Sequence, residues 1–207
     1  MVATEVLSAP FKPNSNPQEL LQITKTLPTV QNIFSGFVHG KPNQMRAFLD
    51  WDSVEAHDAF NASEIFPAFL EDFKSRVAGP FTLWHVEFKP SLEALRKAQT
   101  APVTEVVTFY FTGSPPAEFV EKALAFREVL AQQPGFVDVA LGVTHEEVEY
   151  QGEKGHPLVV LIGWGSEQQW KTFAESEEYK QKSPGRSLEE GVLKGFEMEV
   201  VTLEPLR

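Results

Sequence analysis

The chain has 207 residues, 42% of them apolar and 23% charged, with 17 Phe and 4 Trp. That suffices to bury one large core or two cores of about 100 residues each. Lys and Arg number 18 against 29 Asp and Glu, a formal net charge of −11 that argues against a sequence-independent grip on nucleic acid. No cysteine is present, which excludes disulfides, thiolate nucleophiles and Cys-based metal sites. No apolar run reaches the ~18–20 residues of a membrane span, and no basic-then-apolar leader opens the chain. A cytoplasmic protein with no membrane partner is expected.

A first strand is predicted at residues 3–8. Asn16 then caps a helix with Pro17 at its first position and Glu19 three residues on, and Leu20, Ile23 and Leu27 follow at helical spacing. Strand-like runs at 34–39 and 44–51 flank a Gly-Lys-Pro-Asn turn. Ser53 opens a second helix whose later part puts Phe66, Phe69, Leu70, Phe73 and Val77 on one face, and 81–88 alternates as a closing strand. Residues 91–102, SLEALRKAQTAP, read as a linker. A strand at 103–111 follows, then a helix carrying Phe119, Ala123, Phe126 and Leu130 on one face, and a strand at 136–143. An acidic hairpin insertion spans 144–156. A strand at 157–164, a helix from Ser166 and a closing strand at 196–203 complete the chain.

The second half repeats the first. Thr4-Glu5-Val6 recurs as Thr104-Glu105-Val106, and the helix start at Ser15 to Leu20 as Ser114 to Phe119. The longest match, W-x-S-x6-F-x2-S-E-x-[FY], begins at Trp51 and again at Trp164. Residues 1–90 and 103–207 therefore read as two copies of a strand-helix-strand-strand-helix-strand unit, the ferredoxin-like arrangement of two helices on one face of an antiparallel sheet. Strands such as 103–111 are apolar on both sides, so the second sheet face is expected to be buried too. The expected fold class is α+β, with two repeats closing into one intrachain eight-stranded antiparallel α+β barrel.

The Trp ending the third strand, the Ser capping the next helix and the F-x2-S-x2-[FY] run, in LDWDSVEAHDAFNASEIF and IGWGSEQQWKTFAESEEY, resemble the antibiotic-biosynthesis monooxygenase (ABM) family of dimeric α+β barrel proteins. The resemblance covers most of the chain as a tandem pair. It implies a ligand cavity between a sheet and its own helices. It admits cofactor-free oxygenases of polyketide anthrones, aromatic polyketide cyclases, lactone isomerases and heme-degrading oxygenases. Many members carry a His nine residues after the strand-ending Trp, where this chain has Phe60 and Phe173. The heme-degrading pattern, a Trp at that place and an iron-ligating His ten residues on, meets Phe60 with Leu70 and Phe173 with Ser183. The resemblance thus assigns neither the usual His nor a heme ligand.

Catalytic candidates come from the remaining residues. His57 lies six residues after Trp51 and one turn before Phe60, at the place of Trp170 in the second copy, so it is expected to point inward as a general base. The plainer reading is a half-buried, hydrogen-bonded histidine. His85 and Glu87 alternate onto one strand face as a base and its orienting carboxylate, with Val200 and Thr202 at the matching places; the plainer reading is a polar pair in the barrel seam. Trp51, Phe60, Trp84, Tyr110, Trp164, Trp170 and Phe173 are the expected substrate walls, or otherwise core. His39 reads as a turn residue. His145 and His156 on the hairpin lack metal-ligand spacing, and no metal site or cofactor is assigned. Glu5 and Glu105 are expected to be solvated on edge strands.

Dinucleotide, nucleotide-triphosphate, nucleophile-elbow and zincin motifs are absent from the sequence. The expected function is a cofactor-independent tailoring enzyme, a monooxygenase, cyclase or isomerase. It would act on a small aromatic or polyketide-like substrate by proton abstraction in an apolar cavity. The alternative is a noncatalytic or degenerate ABM-like protein that binds a small apolar ligand. A third reading is an assembly protein docking through an exposed patch near Val148 and Tyr150. Expected partners are a small aromatic or apolar molecule and no nucleic acid, with homodimerisation left open.

Overall fold

Helices begin where side chains can satisfy their first N–H groups. In the computed structural model, which describes residues 2–186 and 192–206, the Ser53 hydroxyl accepts from the Ala56 N–H at 3.3 Å. Ser91 accepts from Ala94 at 3.1 Å and Ser166 from Gln169 at 3.2 Å. The chain divides into two compact units, one of residues Met1–Glu87 and Thr202–Arg207, the other of Phe88–Val201.

The first unit runs β1 (Ala3–Pro10), α1 (Pro17–Lys25), β2 (Val30–Val38), β3 (Lys41–Trp51), α2 (Val54–Asn61), α3 (Phe66–Arg76) and β4 (Thr82–Val86). Its strands lie in the order β4-β1-β3-β2, every neighbour antiparallel. The β2–β3 turn is tighter than the four-residue turn expected from sequence. His39 and Gly40 make it alone, and Gly40 takes the left-handed φ of 75° that a side chain would resist. The single long helix expected after Ser53 is two helices, α2 ending at Asn61 and α3 starting at Phe66 with Pro67 in its first turn. One sheet face packs against these helices through Leu7, Ile33, Leu49, Trp51, Phe60 and Phe73.

The second unit runs α4 (Leu92–Gln99), β5 (Val103–Phe111), α5 (Ala117–Leu130), β6 (Phe136–Val143), β7 (Val148–Tyr150), β8 (Glu153–Gly155), β9 (Leu158–Trp164), α6 (Glu167–Ala174), α7 (Glu177–Lys182) and β10 (Leu193–Val201). Its sheet order, β10-β5-β9-β6, matches the first unit strand for strand. β7 and β8 pair as a separate hairpin within the acidic stretch 144–156. A short β11 (Glu204–Pro205) returns to the first unit and pairs with β2.

The segment 91–102, expected as a linker, instead holds α4, which lies on β6 and β9. Ala94, Leu95 and Ala98 are buried, and Thr104 donates its hydroxyl to the Ala98 carbonyl at 2.8 Å. Gly163 makes the approach possible, because a Cβ there would sit 2.9 Å from Ala98 Cα. The result is a mixed α+β fold with seven helices and antiparallel sheet among the described residues. No described helix is long and apolar enough to cross a membrane.

Candidate active site

Glu5 is the residue on which the first unit's polar site is built. It lies in the middle of β1, which is paired on both sides, and it is 6% exposed. The expectation that Glu5 and Glu105 sit solvated on edge strands is therefore wrong for both: Glu105, inside β5, is 2% exposed. A buried carboxylate needs donors, and the strand-ending tryptophans supply them. In the antiparallel register Trp51 faces Ala3, one same-face step from Glu5, and its indole N–H donates to Glu5 Oε2 at 2.8 Å. Trp164 faces Val103 in the same way and donates to Glu105 at 3.1 Å.

Two histidines surround Glu5. Ser53 caps α2 so that His57, one turn in, turns toward the sheet, with Nε2 3.5 Å from Glu5 Oε2 and its ring 4.8 Å from that of Trp51. His85 is the direct cross-strand partner of Glu5 on β4, and its ring centre lies 4.7 Å from that of His57. Both imidazoles are buried, and donor atoms of Glu5, His57 and His85 all lie within 4.8 Å of one another. Glu5 is thus a carboxylate directly opposite His85, and Glu87, expected as its partner, lies just beyond the end of β4 and is half-buried.

Glu5 and His57 sit at one wall of a cavity of about 250 Å³ between the sheet and helices α1, α2 and α3, which His85 does not line. Leu7, Met45 and Leu49 line it from the sheet, Leu20 from α1, Phe60 from α2 and Phe69 from α3; Glu5, Thr24, His57 and Asn61 are its polar residues. Of the expected walls, Trp51 and Phe60 line this cavity, their rings stacked at 5.7 Å. Trp84 does not. It pairs with Val6 on the other sheet face.

The second unit keeps the glutamate and the tryptophan but neither histidine. Trp170 stands where α2 has His57, and Val200 is the cross-strand partner of Glu105 where His85 partners Glu5. Burial pushes the Glu105 carboxyl up to about 7, partly offset by the Trp164 N–H that it accepts from. A second cavity of about 180 Å³ lies beside Glu105, lined by Val107, Phe109, Phe126, Leu130 and Tyr179 among others. Trp164, Trp170 and Phe173, expected as walls, pack into this unit's core instead of lining that cavity. Tyr110 faces away from it, donating its hydroxyl to Glu197 at 3.1 Å and stacking at 4.0 Å on Tyr150. Val148 and Tyr150, where a docking patch was expected, are both half-buried. His39 is exposed in its turn, with Nε2 3.1 Å from Thr202 Oγ1. His145 is exposed, and the His156 ring meets the Thr144 carbonyl.

Solved structures with the same fold cover nearly the whole chain. An anthrone oxidase-like protein matches over 99% of this chain and 92% of its own at TM-score 0.69 and 16% identity. A candidate monooxygenase from Fusobacterium nucleatum matches over 99% and 93% at TM-score 0.63 and 10% identity. Another from Lactobacillus acidophilus matches over 98% and 93% at TM-score 0.58 and 12% identity. Identities this low carry the fold and not the reaction. No protein-family model matches the chain, and neither does any curated sequence.

Proposed function

We propose that the protein is an ABM-like enzyme, built from two copies of one unit, that abstracts a proton from a small aromatic or polyketide-like substrate held in the cavity of its first unit. The observation that carries this reading is the placement of Glu5 and His57 at the polar wall of an otherwise apolar cavity, with His85 gathered against them. An acidic phenol or activated methylene buried there meets His57 as base. Glu5, 3.5 Å from His57 Nε2, stabilises the imidazolium that forms, and Trp51 fixes the carboxylate. The apolar walls exclude water and strengthen that pairing. The substrate anion then reacts with dioxygen, cyclises or isomerises without a cofactor. The anthrone oxidase-like and monooxygenase-like neighbours share the scaffold on which such a cavity is built.

The test is turnover of a panel of hydroxylated aromatics under air, followed by oxygen uptake and product mass. His57→Ala is expected to lower kcat by about 10²–10⁴-fold, the usual worth of a general base. Glu5→Gln should reduce kcat with a smaller effect on KM. Parental rates in both variants would overturn the assignment. The second cavity, with Glu105 but no histidine, is read as a noncatalytic pocket for a small apolar molecule.

A further inference from the structure

We propose that Glu5, His57 and His85 form a binding site for one first-row divalent cation of the Zn²⁺, Fe²⁺ or Co²⁺ type. Two imidazoles and one carboxylate are the donor set such ions favour. Here they come from three separate elements, β1, α2 and β4, and are all buried. Donors about 2.0–2.2 Å from a tetrahedral ion lie about 3.4 Å apart. Glu5 Oε2 and His57 Nε2, at 3.5 Å, already hold that spacing, and the third donor lies within 4.8 Å. Trp51 donates to the same Glu5 oxygen, which fixes the carboxylate as hydrogen bonds behind metal ligands do and still leaves it lone pairs to offer.

The fold does not require the imidazoles. At the matching places the second unit carries Trp170 and Val200 around the same glutamate–tryptophan pair, and that unit has its own buried core. His57 and His85 are thus additions to a Glu–Trp pair that stands without them. Two histidines on two different elements converge on one carboxylate, and because Glu5 and His57 line the cavity, a ligand there can take a remaining coordination position. This inference uses the residues of the proposed active site but goes beyond its reaction. A bound cation takes the imidazole lone pair that proton abstraction needs, so the two occupancies exclude each other.

The test is calorimetric titration of the full-length, chelator-treated protein with Zn²⁺ and Co²⁺. Alongside it run His85→Val and His57→Trp, each carrying the side chain that the second unit tolerates at the same place. The parental protein is expected to bind one ion per chain, and each variant to lose affinity at least about tenfold; Trp51→Phe should lose about 10–100-fold. Absence of saturable binding, or parental affinity in folded variants, would overturn the site. Proton NMR of the five histidine rings gives a readout without variants. Co²⁺ should shift the signals of His57 and His85, whereas shifts confined to His39, His145 and His156 would sink the proposal. Turnover with and without one equivalent of Zn²⁺ separates this proposal from the enzymatic one. Binding that leaves turnover unchanged keeps the cation site and removes His57 as base; turnover without binding does the reverse.

Discussion

Glu5 and Glu105 occupy matching strand positions and accept from matching tryptophans, yet their surroundings give them different chemistry. Glu5 has His57 and His85 beside it; Glu105 has Trp170 and Val200. With no cationic partner offered by those residues, burial raises Glu105 to about 7 from the usual range near 4.5. Folding therefore binds a proton at Glu105 between those values, and the stability this group contributes falls as pH rises through that window. From pH 5 to 8 the loss is roughly 3 kcal/mol, at 1.36 kcal/mol per pKa unit. Denaturant unfolding of Glu105→Gln should show a slope with pH flatter by about that amount. An unchanged slope would mean that Glu105 stays ionised. His57 was legible in the sequence because helical spacing ties it to Trp51 and Phe60. Glu5 was not, since an acidic residue in a strand ordinarily marks a solvent-facing position. The recurrence of Thr-Glu-Val with a later Trp in each half held the signal, but the distance from Glu to Trp differs by the length of the inserted hairpin.

The elements that aim these side chains depend on local devices of modest energy. Ser53 caps α2, and His57 sits in the first turns of that short helix. Ser53→Ala should destabilise the protein by about 1 kcal/mol and weaken turnover by displacing His57; equal stability by urea unfolding would show that the cap is dispensable. The α4 helix was hidden because Glu93, Arg96 and Lys97 make its sequence look like a solvated connector. The stripe Ala94, Leu95, Ala98 is narrow and mostly alanine, and Ser91 as its cap was the readable sign. Leu95 is fully buried, so Leu95→Ala should cost about 2–5 kcal/mol, as a core position and unlike a linker. A cost near zero would return the segment to linker status. The same reasoning explains the split after Asn61. The aromatic periodicity of Phe60, Phe66, Phe69 and Phe73 runs across both helices and conceals the break.

For the molecule as a whole, composition and repetition told most about class, and the chemistry had to wait for three-dimensional register. Each unit has the same strand order, and each encloses a cavity against its own helices with a tryptophan-bound glutamate at the wall. The periodicity that marked the helices and strands could not say which aromatics line space and which fill it. Trp51 and Phe60 line space, while Trp164, Trp170 and Phe173 fill it. Charge is uneven as well, with 9 basic and 18 acidic residues after residue 100 against 9 and 11 before it. The charge excess thus belongs to the half without histidines at its glutamate, which disfavours anionic ligands there. The most direct measurement is a crystal structure of the protein soaked with a hydroxylated aromatic that it turns over. A ring is expected in the first unit's cavity with its oxygen in hydrogen-bond reach of His57 or Glu5. A ring bound only beside Glu105, or outside both cavities, would contradict it.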